Sequence, residues 1–199
     1  MRVIGLDLSL RATGLAVIDT DTGAIDVQVI KTATAPFVSS DHQKTLWTLK
    51  RIQTVVAQVC TPAMAWRGRT GATLACIEGP SFGSKGGAAD ERAGLRWRVL
   101  EALGDWMTPF AVVPPTTLKA YATGKGNADK MLVMQAAMKR LGDRCPDLPD
   151  DNACDALWLA LAAAHRVGAP QVDLPAAQVA RLDAVSWPEL LSDDLEVTA

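Results

Sequence analysis

Three acidic side chains stand where an acid is expensive. Asp7 interrupts the apolar run Val3-Ile4-Gly5-Leu6-Asp7-Leu8. Glu78 ends the run Thr73-Leu74-Ala75-Cys76-Ile77-Glu78, and Asp155 lies among Ala153, Ala156, Leu157 and Leu159. An isolated buried carboxylate costs on the order of several kcal/mol unless it is paired or binds a cation. Asp151 and Asn152 precede Asp155 by four and three residues, so on a helix both share its face. Oxygen ligands from three or four such side chains form a site for Mg²⁺, with Mn²⁺ as a substitute. Two such ions about 3.5–4 Å apart are the usual apparatus of phosphodiester hydrolysis. One activates water and the other stabilises the leaving 3′ oxygen. Taken singly, each acid has a plainer reading. Asp7 can be a structural acid bonded to Ser9 or Thr13, Glu78 a strand-end acid at Gly79-Pro80, and Asp151 an N-cap.

This chemistry requires neither His nor Cys. The chain has His42 and His165, far apart in sequence, and Cys60, Cys76, Cys145 and Cys154 without a C-x-x-C pair. Neither a zinc site nor a disulfide framework is expected, and the thiols are expected to be free.

The elements that must position the acids follow from hydrophobic periodicity. Strands are predicted over residues 2–8, 15–18 and 25–30, with turn chemistry at Asp19-Thr20-Asp21-Thr22-Gly23. Leu46, Leu49, Ile52, Val55, Val56 and Val59 recur at helical spacing over 41–60. Residues 73–78 and 110–113 read as buried strands, with a helix at 88–106 between them. A short helix over 116–122, one capped by Asn127 and running to 141, and an Ala- and Leu-rich helix from Asp151 or Asn152 to Arg166 complete the body. The expected class is α/β, with a five-stranded mixed sheet of three antiparallel strands followed by two parallel ones, flanked by helices. Residues 1–166 form the expected domain. Residues 167–199 form an acidic extension, with one more helix at about 176–183 and a frayed end.

At 199 residues the chain is long enough for one sizeable core. No apolar stretch approaches the roughly 20 residues that span a bilayer. The N-terminus has no signal-peptide layout, and a cytoplasmic protein is expected. The net charge of −2 looks wrong for a nucleic-acid binder, but its distribution does not. Residues 1–145 carry 18 Lys+Arg against 12 Asp+Glu, and residues 146–199 carry 2 against 10. An acidic C-terminal segment masks a mildly basic body. Arg92 and Arg96 lie one helical turn apart and can form a stripe that contacts phosphates, although packing competes for that face.

Four segments in order carry a resemblance. Gly5-Leu6-Asp7-Leu8-Ser9 with Thr13-Gly14 resembles the first-strand motif of the RuvC family of Holliday junction resolvases, within the RNase H-like superfamily. Ile77-Glu78 with Phe82, Lys85 and the helix from Ala88 resembles that family's second acidic motif and the loop after it. Pro114-Pro115-Thr116-Thr117-Leu118-Lys119, followed by Gly124-Lys125-Gly126-Asn127-Ala128-Asp129-Lys130, resembles its lysine-bearing segment. Asp151-Asn152-Ala153-Cys154-Asp155-Ala156-Leu157 resembles its closing helix.

The resemblance covers residues 1–166 and implies an RNase H-like fold. It also implies a metal-dependent endonuclease that resolves four-way junctions by paired symmetric nicks, leaving 5′-phosphate and 3′-hydroxyl ends. By it, Asp7, Glu78 and Asp155 hold two metal ions. The fourth ligand falls three residues before the last acid, at Asn152, with Asp151 as the neighbouring candidate. Lys119 and Lys130 approach the scissile phosphate or the DNA backbone. Phe82 stacks near the branch point, which suits base stacking worth roughly 1–3 kcal/mol. Lys85, Lys125, Arg92 and Arg96 complete the expected DNA contacts. A homodimer is implied, with the Arg92-bearing helix contributing to its interface, and no branch-migration partner is specified.

Other readings stay open. One is a related nuclease on other branched DNA or RNA. Another is a junction-binding homologue weakened by the missing carboxylate at Asn152. A third is the phosphate-binding hairpin of the actin-like ATPases, which resemble the first motif but need a second copy of it.

Overall fold

A computed structural model describes residues 1–34, 40–64, 73–80 and 89–189. The first three strands, β1 (Arg2–Asp7), β2 (Ala12–Asp19) and β3 (Ile25–Lys31), form an antiparallel meander. Helix α1 (Asp41–Met64) crosses to β4 (Thr73–Glu78), which pairs in parallel with β1. Helix α2 (Ala89–Asp105) then leads to β5 (Phe110–Val113), parallel to β4. The sheet order is β3-β2-β1-β4-β5, so the expected five-stranded mixed sheet is present. Four helices follow: α3 (Pro115–Thr123), α4 (Lys130–Leu141), α5 (Asp151–Arg166) and the short α6 (Ala176–Val179). A 3₁₀ turn, Ala180–Ala184, extends α6. No helix among the described residues is long and apolar enough to cross a membrane.

The period of two along a strand divides the core into two halves. Ile4, Leu6, Leu15 and Ile77 pack with α1 and α2. Val3, Ala16, Leu74 and Cys76 pack with α5 on the opposite face. The same alternation sends Gly5 and Asp7 of β1, and Glu78 of β4, to the α5 face. From Ala156 to Ala164, helix α5 is apolar all round and buried because other segments cover its back. Its Trp158 donates from Nε1 to the Val133 carbonyl of α4 at 3.1 Å. Val172, Leu174, Leu182 and Val185, from beyond residue 166, belong to this same half of the core.

Small residues let α5 lie directly on the sheet. A Cβ at Gly5 would come 2.0 Å from the Ala156 carbonyl oxygen and 2.5 Å from the Ala160 nitrogen. One at Gly14 would come 2.0 Å from the Asn152 carbonyl oxygen. Glycine at these strand positions therefore sets the distance between sheet and helix.

Several sequence expectations shift at element ends. Strand β2 begins at Ala12 rather than Leu15, because Thr13 and Gly14 still pair, with Gly14 opposite Asp7. The N-cap of α4 is Asp129, not Asn127: its carboxylate accepts the Leu132 N–H at 2.8 Å. Asp150 caps α5, accepting from the Ala153 N–H at 2.9 Å, so Asp151 is not the cap but the first helical residue.

Candidate active site

Asp7 and Glu78 close adjacent parallel strands, where β1 and β4 deliver their last side chains to one crevice. Asp7 is 8 % exposed. The alternative of a structural bond to Ser9 or Thr13 does not hold. Thr13 Oγ1 donates to the Ser9 carbonyl at 2.6 Å and accepts the Ser9 N–H at 3.1 Å, closing the hairpin on itself. Arg51 anchors that hairpin from α1, donating to the Leu10 carbonyl at 2.8 Å. The Asp7 carboxyl instead lies beside Glu78, and the two carboxyls act on one another.

Two buried carboxyls in contact titrate as a pair and favour holding a proton between them. Asp7 is pushed far above the usual carboxylate range, first by burial and then by the charges of Glu78 and Asp155. Glu78 is also raised, by burial and by Asp155, against the opposing pull of Lys119 and Lys130. Asp155 is pushed up to about 6 by burial and by Asp151, again opposed by Lys119 and Lys130. The three acids and the two lysines thus act on one another. Asp151 forms an ion pair with Lys130 and stays below the ordinary range for that reason. Its charge still reaches Asp7 and Asp155. Asn152 presents its backbone carbonyl to Gly14.

A cleft of about 240 Å³ opens beside this cluster. Asp7 and Glu78, with Arg92 and Arg96 of α2, are among the residues that line it. Arg92 is exposed and Arg96 half-buried. Lys125 is exposed on the turn between α3 and α4. Phe82 and Lys85 lie outside the described residues.

In this conformation no three His, Cys, Asp or Glu side chains among the described residues stand close enough to enclose a cation. Asp151 turns to Lys130. The donor chemistry nevertheless fits a hard divalent ion: the donors are carboxylates, and their crowded negative charge is what such an ion relieves. The sequence motif includes Gly5 and Gly14, but sequence reasoning missed their role in seating α5. A glycine inside a strand is the available signal, since it marks a close backbone approach.

The mixed five-stranded sheet with its flanking helices is an RNase H-like fold. The structure of RuvC from Thermus thermophilus superposes with a TM-score of 0.61 at 23% identity, over 85% of this chain and 98% of that one. The Thermus thermophilus RuvC in complex with a Holliday junction substrate gives the same score at 20% identity. The crossover junction endodeoxyribonuclease RuvC of Synechococcus sp. (strain CC9902) is 30% identical over 164 residues, covering 81% of this chain and 96% of that protein. The RuvC of Parasynechococcus marenigrum (strain WH8102) is likewise 30% identical over 164 residues. No family model matches the sequence. The chain belongs to the RuvC family of crossover junction endodeoxyribonucleases.

Proposed function

We propose that this protein resolves four-way DNA junctions by metal-dependent paired nicking, leaving 5′-phosphate and 3′-hydroxyl ends. The observation that carries this reading is the chain's membership of the RuvC family, supported by Asp7 and Glu78 at the ends of adjacent parallel strands and by the charge of Asp155 acting on both. Two Mg²⁺ ions, or Mn²⁺ in their place, would be held by these acids and would supply an activated water and stabilisation of the leaving oxygen. Asp151 is the better candidate for the fourth ligand, because its charge acts on both Asp7 and Asp155. Lys130 holds Asp151 in readiness, and Lys119 counters the charge of Glu78 and Asp155 from α3. Arg92 and Arg96, which line the cleft, receive backbone phosphates. Phe82 and Lys85 complete the proposed DNA contacts.

The function is tested by incubating a labelled four-way junction, beside a linear duplex of the same sequence, with Mg²⁺, Mn²⁺ or chelator. Symmetric nicks confined to the junction and lost with chelator are expected. Junction binding without cleavage in either metal would instead make this a binding homologue. The ligand assignment has its own outcome. Asp151→Ala is expected to raise the half-saturating Mg²⁺ concentration about tenfold, whereas Asn152→Ala leaves it within about twofold. Equal effects of the two substitutions in a Mg²⁺ titration would reject the preference for Asp151.

A two-fold dimer places two such sites on one two-fold junction. Support comes from the outer face of α1 and α2, where Leu46, Leu49 and Trp97 are exposed and a groove runs between Leu49, Gly94 and Trp97. Sedimentation equilibrium is expected to give twice the chain mass for the wild type and the chain mass for Trp97→Glu. A wild type that stays monomeric throughout the micromolar range would rule this face out.

A further inference from the structure

The segment after α5 does more than trail away from the body. Its residues Val172, Leu174, Leu182 and Val185 are buried against the α5 side of the core. Arg140 of α4 donates to the Asp173 carbonyl at 2.9 Å, and Trp187 Nε1 donates to the Leu182 carbonyl at 2.9 Å. Helix α6 and its 3₁₀ extension pack on α3, the helix that carries Lys119.

The contact of interest lies at the end of α3. The last carbonyls of a helix have no partner within it and need one from elsewhere. The Ala120 carbonyl is satisfied by the Gly124 N–H at 2.8 Å. The next, that of Tyr121, would ordinarily accept from Lys125. The Lys125 N–H instead donates to Thr123 Oγ1 at 3.1 Å. Gln178 Nε2 takes the vacant place, donating to the Tyr121 carbonyl at 3.0 Å from a buried position. The turn it abuts begins with Gly124 at φ +82°, an αL residue that glycine adopts without steric cost. That turn exposes Lys125 and then runs back along the first turn of α3 at Thr116.

We infer that Gln178 is a positioning residue: the C-terminal segment caps α3 through it and so fixes the turn that presents Lys125 to the DNA backbone. This rests on the proposed reading of a junction-binding nuclease. It assigns to a segment outside the resemblance a share in substrate affinity rather than in the chemical step. Gln178→Leu keeps the side chain's bulk and removes only the donor, so the segment remains packed.

The test measures junction affinity in chelator, by fluorescence anisotropy, for the full chain and for Gln178→Leu, Lys125→Ala and the double variant. Single-turnover cleavage at saturating junction in Mg²⁺ is measured for wild type and Gln178→Leu. Each single variant is expected to weaken binding about fivefold, and the double variant no further than the weaker of the two. The saturating rate of Gln178→Leu is expected to match wild type. Lys125→Ala weakening binding while Gln178→Leu does not, or losses that simply multiply, would overturn the inference. A lowered saturating rate would also overturn it, by placing the defect at the acids. No effect of Lys125→Ala would remove the turn from the DNA and the inference with it, while metal-dependent junction cleavage would leave the nuclease reading standing.

Discussion

Asp7→Asn is expected to abolish junction cleavage and, in the same protein, to raise the melting temperature measured without metal. The two effects share a cause. Asp7 is buried against Glu78, and both burial and neighbouring charge oppose its ionisation. The unfolded chain ionises its carboxyls near pH 4, whereas the folded chain holds protons at this site well above that. Between those values the folded state binds more protons, so stability falls as pH rises. The penalty is absent below about pH 4, grows through the value of about 6 at Asp155, and continues past it as the Asp7–Glu78 pair gives up its remaining proton. A tenfold change in proton affinity corresponds to about 1.4 kcal/mol. Discounted for relaxation of the site, a gain of about 2 kcal/mol, or about 4–8 °C, is expected for the amide at pH 8. The gain should vanish at pH 4. Mg²⁺ should stabilise the wild type and leave Asp7→Asn almost unmoved, and cleavage should fall by more than about 100-fold. Calorimetry at the two pH values, with and without Mg²⁺, checks the scheme. Equal melting temperatures of wild type and variant at pH 8 would mean that Asp7 is not held against its charge.

Gly5→Ala is expected to be nearly as damaging to activity, by a different route. The added methyl would lie 2.0 Å from the Ala156 carbonyl oxygen and 2.5 Å from the Ala160 nitrogen, both backbone atoms of α5. No rotamer change relieves such a clash. The helix must retreat by roughly 1 Å or more to regain ordinary contact. Overpacking of this kind costs about 3 kcal/mol, or about 6–12 °C in melting temperature. Asp155 rides on the same turn as Ala156, so its carboxylate moves away from Asp7. A misplacement of that size costs about 100-fold in rate. The discriminating measurement is cleavage at a temperature where circular dichroism shows the variant fully folded. A wild-type rate there would show that the site tolerates the displaced helix.

Much of the site could be read from the residues alone, because each acid interrupts an apolar pattern. Asp7 and Glu78 stand out as charges at the ends of buried strands, and Asp155 as the lone acid in an apolar stretch of helix. The mixed character of the sheet follows from three short-linked strands and two that require helical crossovers, whereas the pairing of β4 with β1 rather than β3 has no such local signal. Positions depending on a single residue of register were harder. Asp150, Asp151 and Asn152 are adjacent, and only the Asp150 cap fixes which of them begins α5. Asn127 and Asp129 are comparable caps by type, and the bond to the Leu132 N–H decides between them. The closeness of α5 to the sheet depends on the absence of side chains at Gly5 and Gly14, which leaves no periodic signal. The segment from 169 to 187 is rich in Ala and Pro, and its buried Val172, Leu174, Leu182 and Val185 follow no single period. The Lys130–Asp151 pair joins separate helices, and no local pattern encodes it.

The placement of α5 has a consequence for synthesis. Asp7 belongs to β1, whereas Asp155 arrives 148 residues later on the helix that covers the sheet. At about 5–20 residues per second, many seconds separate the two on the ribosome. A nascent chain carrying the whole sheet still lacks Asp155, and the face that holds Gly5 and Asp7 stays uncovered until α5 emerges. The endonuclease is therefore assembled only as its core closes, so that a prematurely terminated product cannot present the full set of acids to DNA.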